Sequence, residues 1–191
     1  IMKILIELPT WLGDCVMATP AIENIENFAN NVEITFIGSF VSIEAMKNHP
    51  KAVKTVVLDK KYGALYKTAK NLGEFDAFSS FRSSVRSKFL KFSISAKNKY
   101  QFDKNKYRNC HQVKKYNDFV NDSLNTNLKP GVLKLYKNSK FKTQNSKLPL
   151  LGINPGASYG SAKRWYPQEF AKVAEELSSQ YDIVIFGGPG E

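Results

Sequence analysis

The strongest constraint in this chain is an alternation. Short apolar runs of strand character are separated by stretches whose apolar residues recur at helical spacing. Met2–Leu8 (MKILIEL), Glu33–Gly38 (EITFIG), Lys54–Leu58 (KTVVL) and Ala77–Phe81 read as strands, with Asp76 preceding the last. Asp14–Phe28, Phe40–Asn48 and Gly63–Leu72 read as helices. In the first of these, Val16, Met17, Ala21, Ile22, Ile25 and Phe28 form the periodic set, and Pro20 predicts a kink or a weakened turn. A βαβα series of this kind predicts an α/β fold, a parallel sheet with helices on its faces.

The pattern fades after Arg82. A helix is expected over 84–92, then a mobile loop, then a helix over Tyr116–Leu124. Asn138–Lys147 reads as a polar linker, after which the alternation resumes. Pro149–Asn154 is a strand, Pro155–Ala162 a Gly/Ser-rich loop, Pro167–Ser179 an amphipathic helix, and Asp182–Phe186 a further strand. The expected division is therefore a first domain over 1–147 and part of a second over 148–191. Two strands and one helix cannot cover both faces of a doubly wound sheet, so the chain is expected to end inside that second domain.

Charge is distributed unevenly. The net charge is +11, yet Lys60–Lys147 holds 21 Lys/Arg against 5 Asp/Glu, and the remainder 7 against 12. A basic middle segment attracts polyanions: nucleic acid, an anionic membrane surface or an acidic sugar. Lysine outnumbers arginine 24 to 4, so part of the excess is compositional. No apolar run reaches the ~18–20 residues of a membrane-spanning helix. Cys15 and Cys110 make neither a zinc pattern nor a disulfide framework, and the expectation is a cytoplasmic protein with reduced thiols. Cys15 reads as a packing residue, and His49 and His111 as surface histidines.

Two segments could carry chemistry. Trp11-Leu12-Gly13-Asp14 follows the first strand, where ligands gather in open α/β sheets. Asp14 reads either as a helix N-cap or as a general base that removes a proton from an attacking hydroxyl. The turn lacks GxGxxG, which disfavours a dinucleotide cofactor. Asn154–Trp165 (NPGASYGSAKRW) offers free backbone N–H groups, hydroxyls and two adjacent cations. It reads either as a phosphate cradle or as a surface loop, and it lacks the ending of a P-loop.

With these segments the chain resembles glycosyltransferase family 9, the bacterial lipopolysaccharide heptosyltransferases. The resemblance rests on KILIELPTWLGDCVMATPAI (Lys3–Ile22) and NPGASYGSAKRWYPQEFA (Asn154–Ala171), with a lesser match at Ser79–Ser84. The Trp-Leu-Gly-Asp form is similar to the branch that adds the second heptose of the inner core. The resemblance implies the N-terminal half of a GT-B enzyme, with a Rossmann-like acceptor domain followed by the opening βαβ of the donor domain. It implies inverting transfer of L-glycero-D-manno-heptose from ADP-heptose to heptosyl-Kdo-lipid A, the present chain by itself being inactive.

Carried onto this sequence, Asp14 is the general base and Lys163 neutralises the departing ADP phosphates. Ser158 helps to bind phosphate, and Glu191 contacts the nucleoside. Arg82, Arg86 and Lys88 follow a strand end and are expected to meet the acidic acceptor. No metal and no cofactor are implied; ADP-heptose is the donor substrate. The implied placement is cytoplasmic and peripheral on the inner face of the membrane. There Lys91, Lys97 and Lys99 interleave with Phe89, Phe92 and Tyr100. Self-association through 149–191, or disorder of that segment, is a further expectation. The alternatives are a non-catalytic module binding acceptor glycolipid, and a basic nucleic-acid-binding protein; no nucleic-acid module is recognisable, so nucleic acid is not expected as a partner.

Overall fold

The first strand, β1 (Met2–Glu7), sends alternate side chains to opposite faces, and both faces are apolar: Ile4 and Ile6 on one, Leu5 on the other. Such a strand is stable only at the centre of a sheet covered on both sides. The computed structural model places it there. It describes residues 1–29, 31–136, 148–157 and 161–187, grouped in two compact units, Ile1–Asn138 and Ser139–Glu191.

In the first unit five parallel strands have the order β3-β2-β1-β4-β5. The flanking strands are β2 (Val32–Gly38), β3 (Ala52–Val57), β4 (Glu74–Ser80) and β5 (Ser95–Gln101). Ile4 stands beside Ile34 on one side and Ala77 on the other. Helices α1 (Leu12–Phe28), α2 (Phe40–Met46) and α5 (Gln112–Leu124) cover one face, and α3 (Tyr62–Asn71) and α4 (Val85–Ser93) the other. The second unit pairs β6 (Leu150–Ile153) with β7 (Asp182–Ile185) in parallel, with a short 3₁₀ turn (Ser161–Lys163) and α6 (Pro167–Leu177) between them.

Three expectations require correction. The loop expected after α4 is instead strand β5, whose sequence SAKNKYQ lacks an apolar run. It is an edge strand held by backbone pairing to β4, and Lys97 and Lys99 suit an edge that must resist pairing with other chains. The second concerns the interleaved cations and aromatics, which part company. Phe89 turns inward against Tyr62, Tyr100 packs beside the opposite core, and Lys97 pairs with Asp76 at 2.7 Å. Phe92 alone of those aromatics stands out, 84% exposed.

His49 is the third, being buried rather than on the surface. It lies edge-on to Phe36 and Tyr136, its Nδ1 accepting from the Lys51 N–H. Burial lowers its pKa below 6.5, opposed by Glu26 and Glu23 and assisted by Lys134 and Lys51. Between the folded value and 6.5 the unfolded chain binds the extra proton. The stabilising contribution is therefore complete above that window and lost as pH falls through it. The difference in urea midpoint between the wild type and His49→Gln should narrow as pH falls below about 6.5. A pH-independent difference would refute the coupling.

Pro20 lies within α1 and is buried. Its missing N–H leaves the Val16 carbonyl without its helical donor, and the Thr19 hydroxyl supplies one at 2.8 Å.

Candidate functional site

In the sheet order, connections run outward from β1 through β2 to β3 on one side and through β4 to β5 on the other. The crevice between the carboxyl ends of β1 and β4 is the switch point where such sheets bind ligands. A cleft of about 330 Å³ occupies it. The β1–α1 turn contributes Pro9, Thr10 and Trp11, the first turn of α1 contributes Asp14, and the β4–α4 loop contributes Phe81, Arg82, Ser83 and Ser84. Phe102 and Lys104 after β5, and Tyr116 of α5, complete the lining.

Asp14 is not the N-cap. Trp11 occupies that position, its carbonyl accepting from Cys15 N–H, and Asp14 falls in the first turn of α1. Its half-buried carboxylate makes no hydrogen bond or ion pair with any described residue. Its charge and the surrounding burial together push up the Tyr116 phenol, burial being the larger cause. Behind it, the Cys15 thiol is pushed to about 12, chiefly by burial, and packs as a small apolar residue. The β1–α1 turn is held by neighbours: Ser39 donates to the Thr10 carbonyl, and Ser42 to that of Pro9. Trp11 is 73% exposed and offers a flat face at the cleft mouth.

Of the three cations expected to meet an acceptor, the fold brings Arg82 to the cleft with Asp14. Arg86 instead donates to the Asp59 carbonyl, and Lys88 stands exposed on α4. Neither lines the cleft. Lys104, Ser83, Ser84 and Tyr116 were missed as site residues. Ser83 and Ser84 fall within the lesser match at Ser79–Ser84, and Lys104 and Tyr116 within the basic middle segment, but neither signal says which residues return to β1. Glu7 was missed too. It ends β1 fully buried, where a strand pattern reads only an apolar run.

In the second unit, Lys163 ends the 3₁₀ turn and is exposed. Arg164 donates twice to the Ala157 carbonyl, at 3.0 and 2.7 Å. Trp165 packs edge-on against Phe170 at 5.2 Å and anchors α6. Ser158 and Glu191 lie outside the described residues. Among the described residues no cluster of three or more His, Cys, Asp or Glu could hold a metal, and no helix is long and apolar enough to cross a membrane.

Comparison with known proteins gives a concordant result. The family model described as Glycosyltransferase family 9 (heptosyltransferase) matches residues 77–191. Lipooligosaccharide heptosyltransferase 2 of Campylobacter jejuni serotype O:2 is 43% identical over 97% of this chain and 60% of its own length. The chain thus spans about three fifths of that relative. Among solved structures, a family 9 glycosyl transferase from Veillonella parvula superposes with a TM-score of 0.81 at 21% identity, over 98% of this chain and 63% of its own. The E. coli ADP-heptose LPS heptosyltransferase II does so with a TM-score of 0.75 at 18% identity, over 98% and 65%. The fold is the parallel α/β fold of these enzymes.

Proposed function

The chain belongs to glycosyltransferase family 9, and from that premise we propose that it is the acceptor-binding part, with the opening of the donor-binding part, of an inverting heptosyltransferase that moves L-glycero-D-manno-heptose from ADP-heptose to a heptosyl-Kdo-lipid A acceptor. The observation that supports this best is the Asp14 carboxylate, without a partner among the described residues, sharing the switch-point cleft with Arg82. A carboxylate held beside the acceptor can take the proton of the attacking hydroxyl as the oxygen closes on the anomeric carbon. Arg82 and Lys104 supply positive charge for an acidic sugar, and the Trp11 face suits a sugar ring. Gly13 fits the same reading, since a Cβ there would meet nothing within 4 Å. The fold itself does not require glycine at that position in the first turn of α1.

On the donor side, the C–O bond to ADP breaks with the electron pair leaving on the phosphate. Lys163 offsets that charge, with Ser158 binding phosphate and Glu191 the nucleoside. Lys163→Ala should raise the KM for ADP-heptose and lower kcat, by about 10–100-fold in kcat/KM. Unchanged values would remove Lys163 from the donor site. Peripheral attachment to an anionic membrane face through Lys88, Lys91 and Phe92, and self-association through the edges of β6 and β7, belong to the same proposal.

The deciding experiment is heptosyl transfer from ADP-heptose to heptosyl-Kdo-lipid A, read by mass spectrometry. It is run with this chain and with a polypeptide continued to the length of its relatives. Transfer by either supports the reading, and failure of both overturns it. Acceptor binding without transfer in both would instead favour a non-catalytic glycolipid-binding module.

A further inference from the structure

Glu7 is the last residue of β1 and is 1% exposed, a carboxylate at the end of an otherwise apolar strand. Nothing in the transfer chemistry uses it. A buried charge rarely stabilises a fold more than a well-packed apolar residue would, so its placement calls for another reason. Its contacts suggest one. Oε2 accepts from Ser80 Oγ at 2.6 Å, and Oε1 accepts from Ser87 Oγ at 3.0 Å and from Arg82 Nη1 at 3.4 Å. Two serines, one from β4 and one from α4, fix the carboxylate, and the carboxylate in turn meets a single nitrogen of Arg82. The Arg82 backbone is held separately, its carbonyl accepting from the Gln101 amide at 3.1 Å. Among the described residues the other guanidinium donors have no partner, and Arg82 lines the cleft with Asp14.

We propose that Glu7 is a positioning residue that holds the Arg82 guanidinium at the cleft in the orientation needed to receive an anionic group of the acceptor, a carboxylate or a phosphate. This rests on the acceptor-side reading of the cleft. It also makes anion binding dependent on pH. Burial raises the Glu7 pKa above its ordinary 4.5, against the opposing effects of Ser80, Arg82, Ser87 and Arg86. Arg82 comes from the β4–α4 loop and Arg86 from α4, and these are the charged groups acting on it. As pH falls through that raised value Glu7 takes a proton and its hold on Arg82 weakens. A purely through-space effect has the opposite sign, because removing a negative charge beside Arg82 would strengthen its pull on an anion. The two accounts therefore differ in direction.

The test titrates this chain with inorganic sulfate, whose charge is constant over the working range, and follows the Arg82 Nε–Hε resonance. Glu7→Gln should weaken sulfate binding at Arg82 by about three- to tenfold at pH 7.5. The wild type should lose affinity on acidification while Glu7→Gln stays flat. Adding Glu7→Gln to Arg82→Gln should produce no further loss. Unchanged or tighter binding in Glu7→Gln, or additive losses in the double variant, would overturn the proposal. If Glu7→Gln does not fold, Ser87→Ala is measured instead. It should weaken binding about twofold with the acid limb retained, and wild-type affinity there would overturn the proposal. Loss of binding in Arg82→Gln with none in Glu7→Gln leaves the acceptor reading intact and removes only the positioning role. No loss in Arg82→Gln removes the acceptor reading, and this inference with it.

Discussion

Asp14→Asn, in a polypeptide of the relatives' full length carrying this sequence, should lower kcat for heptosyl transfer by about 10²–10⁴-fold, the usual contribution of a positioned general base. On the proposed reading, in which the carboxylate serves the acceptor and not the donor, the KM for ADP-heptose should stay within about twofold. The substitution suits the question. Asparagine keeps the size of the side chain but loses its negative charge and with it the ability to take a proton. Asp14 makes no hydrogen bond or ion pair among the described residues, and the turn before it is held by Ser39 and Ser42. The variant should therefore fold with wild-type stability, and a lost rate can be read as lost chemistry. A kcat within tenfold of wild type would take the base role from Asp14.

The largest effect on stability is expected at Phe81. It follows β4, is 2% exposed, and meets Tyr116 and Phe119 of α5 edge-on at 5.4 and 5.5 Å. Phe102 joins the same aromatic group from the end of β5. Truncation to alanine removes the ring that joins the sheet to α5 and leaves a cavity among residues fixed by their own neighbours. The expected cost is about 3–5 kcal/mol, read from the urea midpoint. Phe92→Ala is the control. That ring is 84% exposed, and its loss should change stability by no more than about 0.5 kcal/mol. Phe81 also lines the cleft, so a variant that retains its fold should bind acceptor less well. A cost below about 1 kcal/mol at Phe81 would mean that α5 is secured to the sheet by other contacts.

Strands with a continuous apolar run were legible in the sequence because a strand covered on both faces must be apolar at nearly every position. β1 and β2 follow this rule most closely, while β4 (EFDAFSS) carries only Phe75, Ala77 and Phe78 as apolar residues, and the helices α1 and α3 showed themselves by periodicity. β5 followed neither signal. An edge strand is held by backbone pairing, which any sequence free of proline can supply, so SAKNKYQ carries little trace of it. His49 misled for a related reason. A single polar residue gives no period, and its burial depends on Phe36 and on Tyr136, which lies 87 positions further along the chain.

The same division holds at the site. The sequence alone singled out the turn bearing Asp14 and the loop bearing Lys163, because a strand, a tight turn and a helix start are local events written in consecutive residues. It could also say that the middle of the chain is basic. It could not say which basic residues share a cleft with Asp14, since Arg82 comes to that cleft only when β4 pairs with β1. Nor could it reveal Glu7, whose partners lie 73, 75 and 80 positions away. Parallel strands need long crossovers, so side chains that meet at their carboxyl ends are always far apart in sequence. Which residues could do chemistry was decided locally; which of them act on one ligand was decided by the order of the strands.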